Sequence, residues 1–325
     1  MNSIAISLAT KYDSAPAECR ISCCGEVVFD GPVKEDFVIQ KEIPLFDNFS
    51  ISIVKKGKTL DMVHNKEEQV IEIKKIMLNG IPLKISAFGQ FNISNNPYLK
   101  EERLQTNCLN LNGTWTLELP HMIFDSSMDI KNYQKDMRDN FSDCDVACFG
   151  CSQTYGLTLE ESQTWPSHLA DQSGLLVKNY GVPGSNINQI KCIVDKFVES
   201  HQAKTIIIYA PHLWRGLRGD ITKIKRDIDW SDRKDLIMHG EEHTVANLAG
   251  KLKTWLNGLA VNRKVLFGTY QLDQDLLYRQ TAVEPYMIPF LQGEDYPKAP
   301  DGYHFGQQFN MDFAKILTKL IQKSQ

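Results

Sequence analysis

An α/β fold built on a doubly wound parallel sheet and preceded by an all-β sandwich is predicted by three features of this 325-residue chain. Up to about residue 120, apolar and polar residues alternate at period two in short runs. After residue 143, β-branched runs alternate with segments whose apolar residues recur at helical spacing. A polar, acidic stretch separates the two rhythms. Half-buried antiparallel strands produce the first pattern and βαβ units the second. The division that follows is a sandwich at residues 1–120, a linker at 121–142 and an α/β domain at 143–325.

In the N-terminal part the strand runs are 48–56 (NFSISIVKK), 69–78 (QVIEIKKIML), 81–88 (IPLKISAF) and 114–119 (TWTLEL). Asn79-Gly80 between two of them is a hairpin signal, because both central turn positions need positive φ. In the linker, Met128, Ile130, Tyr133 and Met137 share the face of a short amphipathic helix. Strand 145–150 (DVACFG) opens the α/β domain. A helix follows with Pro166 in its first turn and Gly174 as its stop, then strand 175–179 (LLVKN). Ile187, Ile190, Val194, Phe197 and Val198 align on one face of a helix over 185–202. The continuous run TIIIYA (205–210) has the character of a strand covered on both faces. A helix over 244–260, a strand at 264–270, a short strand at 285–290 and a final helix carrying Phe309, Phe313, Ile316, Leu317 and Leu320 complete the pattern.

Composition narrows the function classes. An apolar fraction of 42% and a charged fraction of 23% are those of a globular protein, and a net charge of −4 comes with no basic run. That gives no electrostatic case for nucleic acid or an anionic membrane. No window approaches the roughly 20 apolar residues of a membrane span, and the N-terminus lacks a basic region followed by an apolar core. The expectation is a protein made in the cytoplasm, its eight cysteines reduced. Cys144, Cys148 and Cys151 are read as small buried residues rather than metal ligands, because no second pair completes a tetrahedral set. No metal or cofactor is expected. His239, Glu241, Glu242 and His243 are read as a helix cap, Arg-Gly-Asp at 218–220 as a solvated turn, and Trp230 as packing.

The chemistry begins at FGCSQTYG (149–156), where an apolar strand stops at a small polar cluster. Ligands of open parallel sheets bind beyond the carboxyl ends of the strands, which is where Ser152 falls. A serine hydroxyl needs a base to take its proton and a third group to hold that base. Asp301 and His304 in PDGYHFG (300–306) supply both, three residues apart and ahead of the final helix. NYGVPGSN (179–186) ends the second strand and opens a helix. The amides of Gly184 and Ser152 are therefore candidate donors to an oxyanion.

These segments, in this order, resemble the SGNH (GDSL-like) hydrolase family over residues 143–325. FGCSQTYG is similar to its nucleophile block with Cys151 in place of the usual aspartate, NYGVPGSN to its oxyanion-glycine block, and DGYHFG to its Asp-x-x-His block. The resemblance implies a flavodoxin-like α/β domain and a serine esterase with Ser152, His304 and Asp301 as its triad. The third block departs from the family: PHLWRGLRGD has no Gly-x-Asn, and His212 stands near the missing asparagine's position, with Arg215 a second candidate donor. Trp214 and Arg215 are candidate substrate contacts.

The N-terminal pattern resembles a carbohydrate-binding module. Together the two resemblances imply a glycan or small acyl-ester substrate, with O-acetyl groups on a polysaccharide as the favoured one. The segments also resemble SGNH domains of phage and marine microbial proteins, which leaves a virion-associated deacetylase, a phage tail protein or a homo-oligomer open. Two rivals stand beside this reading: a non-catalytic carbohydrate-binding or virion structural protein with a degenerate domain, and a lipase or thioesterase of the same fold.

Overall fold

The computed structural model describes residues 1–45, 49–83, 85, 89–93, 103–104, 107–118, 131–211, 245–246, 248–270 and 272–323. It is a mixed α/β structure that divides into two compact units, Met1–Met122 with Trp230–Lys251, and Ile123–Asp229 with Leu252–Gln325.

The first unit contains two antiparallel sheets. Its elements are β1 (Asn2–Tyr12), β2 (Ala17–Cys23), β3 (Glu26–Val33), β4 (Phe37–Ile43), β5 (Ser50–Lys56), α1 (Leu60–His64), β6 (Gln69–Leu78), β7 (Ile81–Pro82), β8 (Gly89–Ile93), β9 (Arg103–Leu104), β10 (Cys108–Leu109) and β11 (Gly113–Glu118). One sheet runs β10-β6-β1-β4 with β7 beside β6, and the other β3-β2-β5-β11-β8-β9. Alternate residues are buried, such as Ile4, Ile6 and Leu8 on β1 and Ile51, Ile53 and Lys55 on β5. In β6 the buried pairs are Ile71, Ile73 and then Ile76, Leu78, a break in period two. The register against β1 shifts between Ser7 and Leu8, so a bulge at Lys74 keeps both apolar pairs on the same face. Asn79 (φ 53°) and Gly80 (φ 87°) form the expected hairpin turn, which pairs Leu78 with Ile81.

The second unit is built on a parallel sheet of β12 (Cys144–Gly150), β13 (Val177–Gly181), β14 (Ala203–Ala210) and β15 (Lys264–Thr269), in the order β13-β12-β14-β15. Around it lie α2 (Lys131–Asp136), α3 (Ser152–Tyr155), α4 (Trp165–Ser173), α5 (Ile187–Ser200), α6 (residues 252–260 within this unit), α7 (Leu272–Arg279) and α8 (Gln307–Gln322). Both faces of the sheet are covered, as its continuous apolar strands require. Val146, Cys148, Ile207 and Tyr209 pack with Trp165, Phe309, Phe313 and Leu317 of α4 and α8. On the opposite face Phe149 meets Tyr180 and Phe197 at ring distances of 5.2 and 5.5 Å. Thr164 caps α4 by accepting from Ser167 N, and Gly174 ends it in the left-handed region.

Two expectations are corrected. The strand read at 285–290 is a 3-10 turn (Glu284–Tyr286) followed by one bridge, Phe267 to Met287. Pro285 and Pro289 withhold the amide hydrogens a ladder would need. The second parallel strand lies two residues later than read, since Leu176 O already accepts from Asp145 N and Val146 N before the regular ladder begins.

Candidate active site

Ser152 sits where β12 gives way to α3. Cys151 is extended and Ser152 begins the single helical turn, 4% exposed. The turn is closed by Thr154 N and Tyr155 N donating to Cys151 O, and by Gly156 N and Leu157 N donating to Ser152 O. A Cβ on Gly150 would lie 2.0 Å from Thr154 Oγ1 and 2.7 Å from Tyr209 O. The glycine is therefore required by close packing at the strand's end.

The loop after β13 is locked onto this turn. Asn179 Nδ2 donates to Thr154 O at 2.9 Å and its Oδ1 accepts from Gly181 N at 3.0 Å. Val182 N and Ser185 Oγ both donate to Gly150 O, at 2.9 and 3.2 Å. Gly184 has φ +80°, and nothing lies within 4 Å of where its Cβ would be. Its backbone is thus unobstructed on that side. Asn186 and Gln189 then form a capping box at the start of α5.

Asp301 and His304 lie on one tight turn. Asp301 Oδ1 accepts from Tyr303 N and His304 N at 3.0 Å each, while Oδ2 faces His304 Nδ1 at 2.5 Å. The two backbone donors, joined by the imidazole, hold the Asp301 carboxyl down at about 2, so it stays ionised at neutral pH. Ala299 N donates to His304 O, Gly306 N to Pro297 O, and Lys298 bridges Phe305, which makes the turn the tip of a small hairpin. Asn310 of α8 donates to Phe305 O and Gly306 O and accepts from Trp165 N, fixing its base.

One bond joins the two halves. Phe305 N, next to His304, donates to Oε1 of Gln153, next to Ser152, at 3.2 Å. Ser152 and His304 themselves share no hydrogen bond in this structure; Ser152 Oγ has Cys151 Sγ at 3.9 Å.

The structure therefore gathers Ser152, Gly184, Asp301 and His304 around linked loops. His212, Trp214 and Arg215 lie outside the described residues, as do Trp230, His239, Glu241, Glu242 and His243. Among the described residues no group of three or more His, Cys, Asp or Glu side chains is placed to hold a metal ion. Sequence reasoning missed Gln153 and assigned Asn179 no task. Asn179 lay within a quoted motif, whereas a pairing such as Gln153 with Phe305, 152 residues apart, leaves no local signal.

No family model matches the chain, and no curated protein does. Solved structures give loose likenesses. An acetyl xylan esterase from the rumen bacterium Butyrivibrio proteoclasticus is 10% identical, covering 99% of this chain and 87% of its own, at a TM-score of 0.34. A family two carbohydrate esterase from Clostridium thermocellum, in complex with cellohexaose, is 8% identical, covering 100% and 91%, also at 0.34. A calcium-dependent carbohydrate-binding module, vCBM60, is 11% identical over 36% of this chain and 90% of its own, at 0.28. These scores are too low to establish a shared fold.

Proposed function

We propose that the protein is a serine esterase that removes short acyl groups, O-acetyl above all, from a polysaccharide. The observation that carries the reading is the Asp301–His304 pair, bonded at 2.5 Å and tied through Phe305 and Gln153 to the turn bearing Ser152.

Each residue then has a defined task. With Nδ1 engaged by Asp301, His304 offers Nε2 to the serine. Ser152 Oγ attacks the ester carbonyl and passes its proton to Nε2 as the carbon–oxygen bond forms. The negative charge on the carbonyl oxygen falls to the Ser152 and Gly184 amides. When the intermediate collapses, the bond to the alcohol breaks and His304 returns the proton to the leaving oxygen. Water repeats the sequence on the acyl-enzyme, releasing the acid. Tyr303, 83% exposed between Asp301 and His304, presents an aromatic face beside the base that a sugar ring can pack against.

The test is hydrolysis of p-nitrophenyl acetate and of acetylated xylan by the wild type and by Ser152→Ala. We expect turnover of both by the wild type and loss of at least about 1,000-fold in the variant. No wild-type turnover of any short-chain ester favours the non-catalytic rival. Faster cleavage of octanoyl than acetyl esters favours the lipase.

A further inference from the structure

Arg138 lies in the segment the sequence assigned to a linker, yet its guanidinium is engaged at the nucleophile turn. Its Nε donates to Tyr155 O, and one terminal nitrogen donates to Gly156 O at 3.1 Å and Leu159 O at 3.2 Å. The guanidinium carbon is 4.4 Å from the Tyr155 ring centroid. α3 is a single turn that ends at Gly156 in the left-handed region (φ 75°, ψ 50°). Such a turn cannot satisfy its own terminal carbonyls. The planar fork of five N–H donors answers several of them from one side, which a point-like ammonium does not.

The next residue grips the other loop. Asp139 N donates to Asn179 O at 3.2 Å, and Asp139 Oδ2 accepts from Asn179 N at 2.6 Å. Asn179 in turn donates to Thr154 O. The carbonyls of Thr154, Tyr155 and Gly156 are therefore all held from outside the turn that begins with Ser152.

We propose that Arg138 is a positioning residue: by clamping the C-terminal carbonyls of the nucleophile turn it sets where the Ser152 hydroxyl and amide point. The inference rests on the esterase reading, because Ser152 must be the attacking group for its placement to matter. Arg138 touches no reacting atom. A displacement of about 1 Å at an attacking group costs on the order of 100-fold in rate, so loosening the turn lowers the chemical step while leaving substrate affinity intact.

The experiment compares full-length wild type, Arg138→Ala and Arg138→Lys in three measurements: kcat and KM on p-nitrophenyl acetate, the second-order rate of Ser152 phosphonylation by a fluorophosphonate, and Tm. We expect kcat of Arg138→Ala to fall about 30- to 100-fold with KM within about 3-fold. The phosphonylation rate should fall in parallel, and Arg138→Lys should lie between, since it keeps the charge without the fork. A folded Arg138→Ala with wild-type kcat and phosphonylation rate, whatever its Tm, overturns the proposal. If Arg138→Ala does not fold, Arg138→Lys decides: wild-type kcat overturns, a reduced kcat at unchanged KM supports. Wild type inert to the fluorophosphonate removes the esterase reading and this inference with it, whereas wild type and Arg138→Ala labelled equally fast removes this inference alone.

Discussion

Asp301 spends its two oxygens differently: Oδ1 accepts two backbone amides of its own turn and Oδ2 faces the imidazole. The first pair shapes the loop and the second holds the imidazole ring. Asp301→Asn keeps an acceptor for the loop but presents the imidazole with a neutral group. We expect kcat to fall roughly 1,000- to 10,000-fold with a smaller change in KM, read from steady-state kinetics on a short-chain ester. Because the carboxyl is held at about 2, below its unfolded value, its contribution to stability is complete above about pH 4 and is lost as pH falls toward 2. If the protein is the proposed esterase, we expect the acid limb of kcat/KM to come from a group other than Asp301. Lys55 shows the opposite case. It is fully buried on β5 with its ammonium donating to Gln69 Oε1 at 3.0 Å, and burial, with Lys58 adding to it, lowers it to about 8. Folding thus disfavours its charged form. The penalty is whole below pH 8 and disappears as pH rises from about 8 toward its unfolded value near 10.4. Lys55→Met should stabilise the protein at pH 7 by about 2 kcal/mol and the gain should vanish near pH 10, measured by urea unfolding at both values.

Among the elements, the turn of α3 and the loop after β13 meet backbone to backbone. A Cβ on Gly181 would lie 2.3 Å from Tyr155 N and 2.8 Å from Thr154 C, so Gly181→Ala must push the turn that begins with Ser152 away. Gly184 faces open space at φ +80°. Gly184→Ala costs about 1 to 2 kcal/mol of backbone strain yet keeps its amide. We expect Gly181→Ala to lose kcat by about 100-fold or more and Gly184→Ala to stay within about 10-fold, both on folded protein. Equal losses would mean that the two loops do not position each other. Which elements were legible follows from the same packing. β14, covered on both faces, is a continuous β-branched run, and α5 and α8 keep their buried stripes, so all were visible in the sequence. β3 and β4 are edge strands with one buried residue each, Val33 and Ile43, and carry no such pattern. α7 was missed because Leu272 and Leu276 point to solvent, 44% and 51% exposed. In β6 the bulge breaks the alternation while preserving the buried face.

At the scale of the whole molecule, Ser152, Asp301 and His304 were singled out in the sequence because they lie in short motifs that follow an apolar strand or precede a helix, whereas Arg138 and Gln153 bond to partners their own neighbourhoods do not announce. The helical pattern over 244–260 is continuous, but the chain up to Lys251 groups with Met1–Met122. Within that unit Val245, Ala246 and Leu248 are fully buried, and Asn79 Nδ2 donates to Ala246 O at 2.7 Å while Asn79 also bonds Asn2 Oδ1. A Cβ on Gly250 would meet Asn2 Oδ1 at 1.9 Å, so the segment approaches β1 at backbone distance. A fragment of residues 1–122 keeps both antiparallel sheets but lacks this segment. Removing it uncovers apolar surface and costs Asn79 one of its two amide hydrogen bonds, leaving only the one to Asn2 Oδ1, each a loss of about 1 kcal/mol. We therefore expect the 1–122 fragment to fold with a Tm lowered by at least about 5 °C relative to the same unit in the full chain, to bind a hydrophobic dye, and to recover stability when a peptide of residues 230–251 is added. Cooperative unfolding of the bare fragment at the full-length Tm, unmoved by the peptide, would show that the two sheets stand without it.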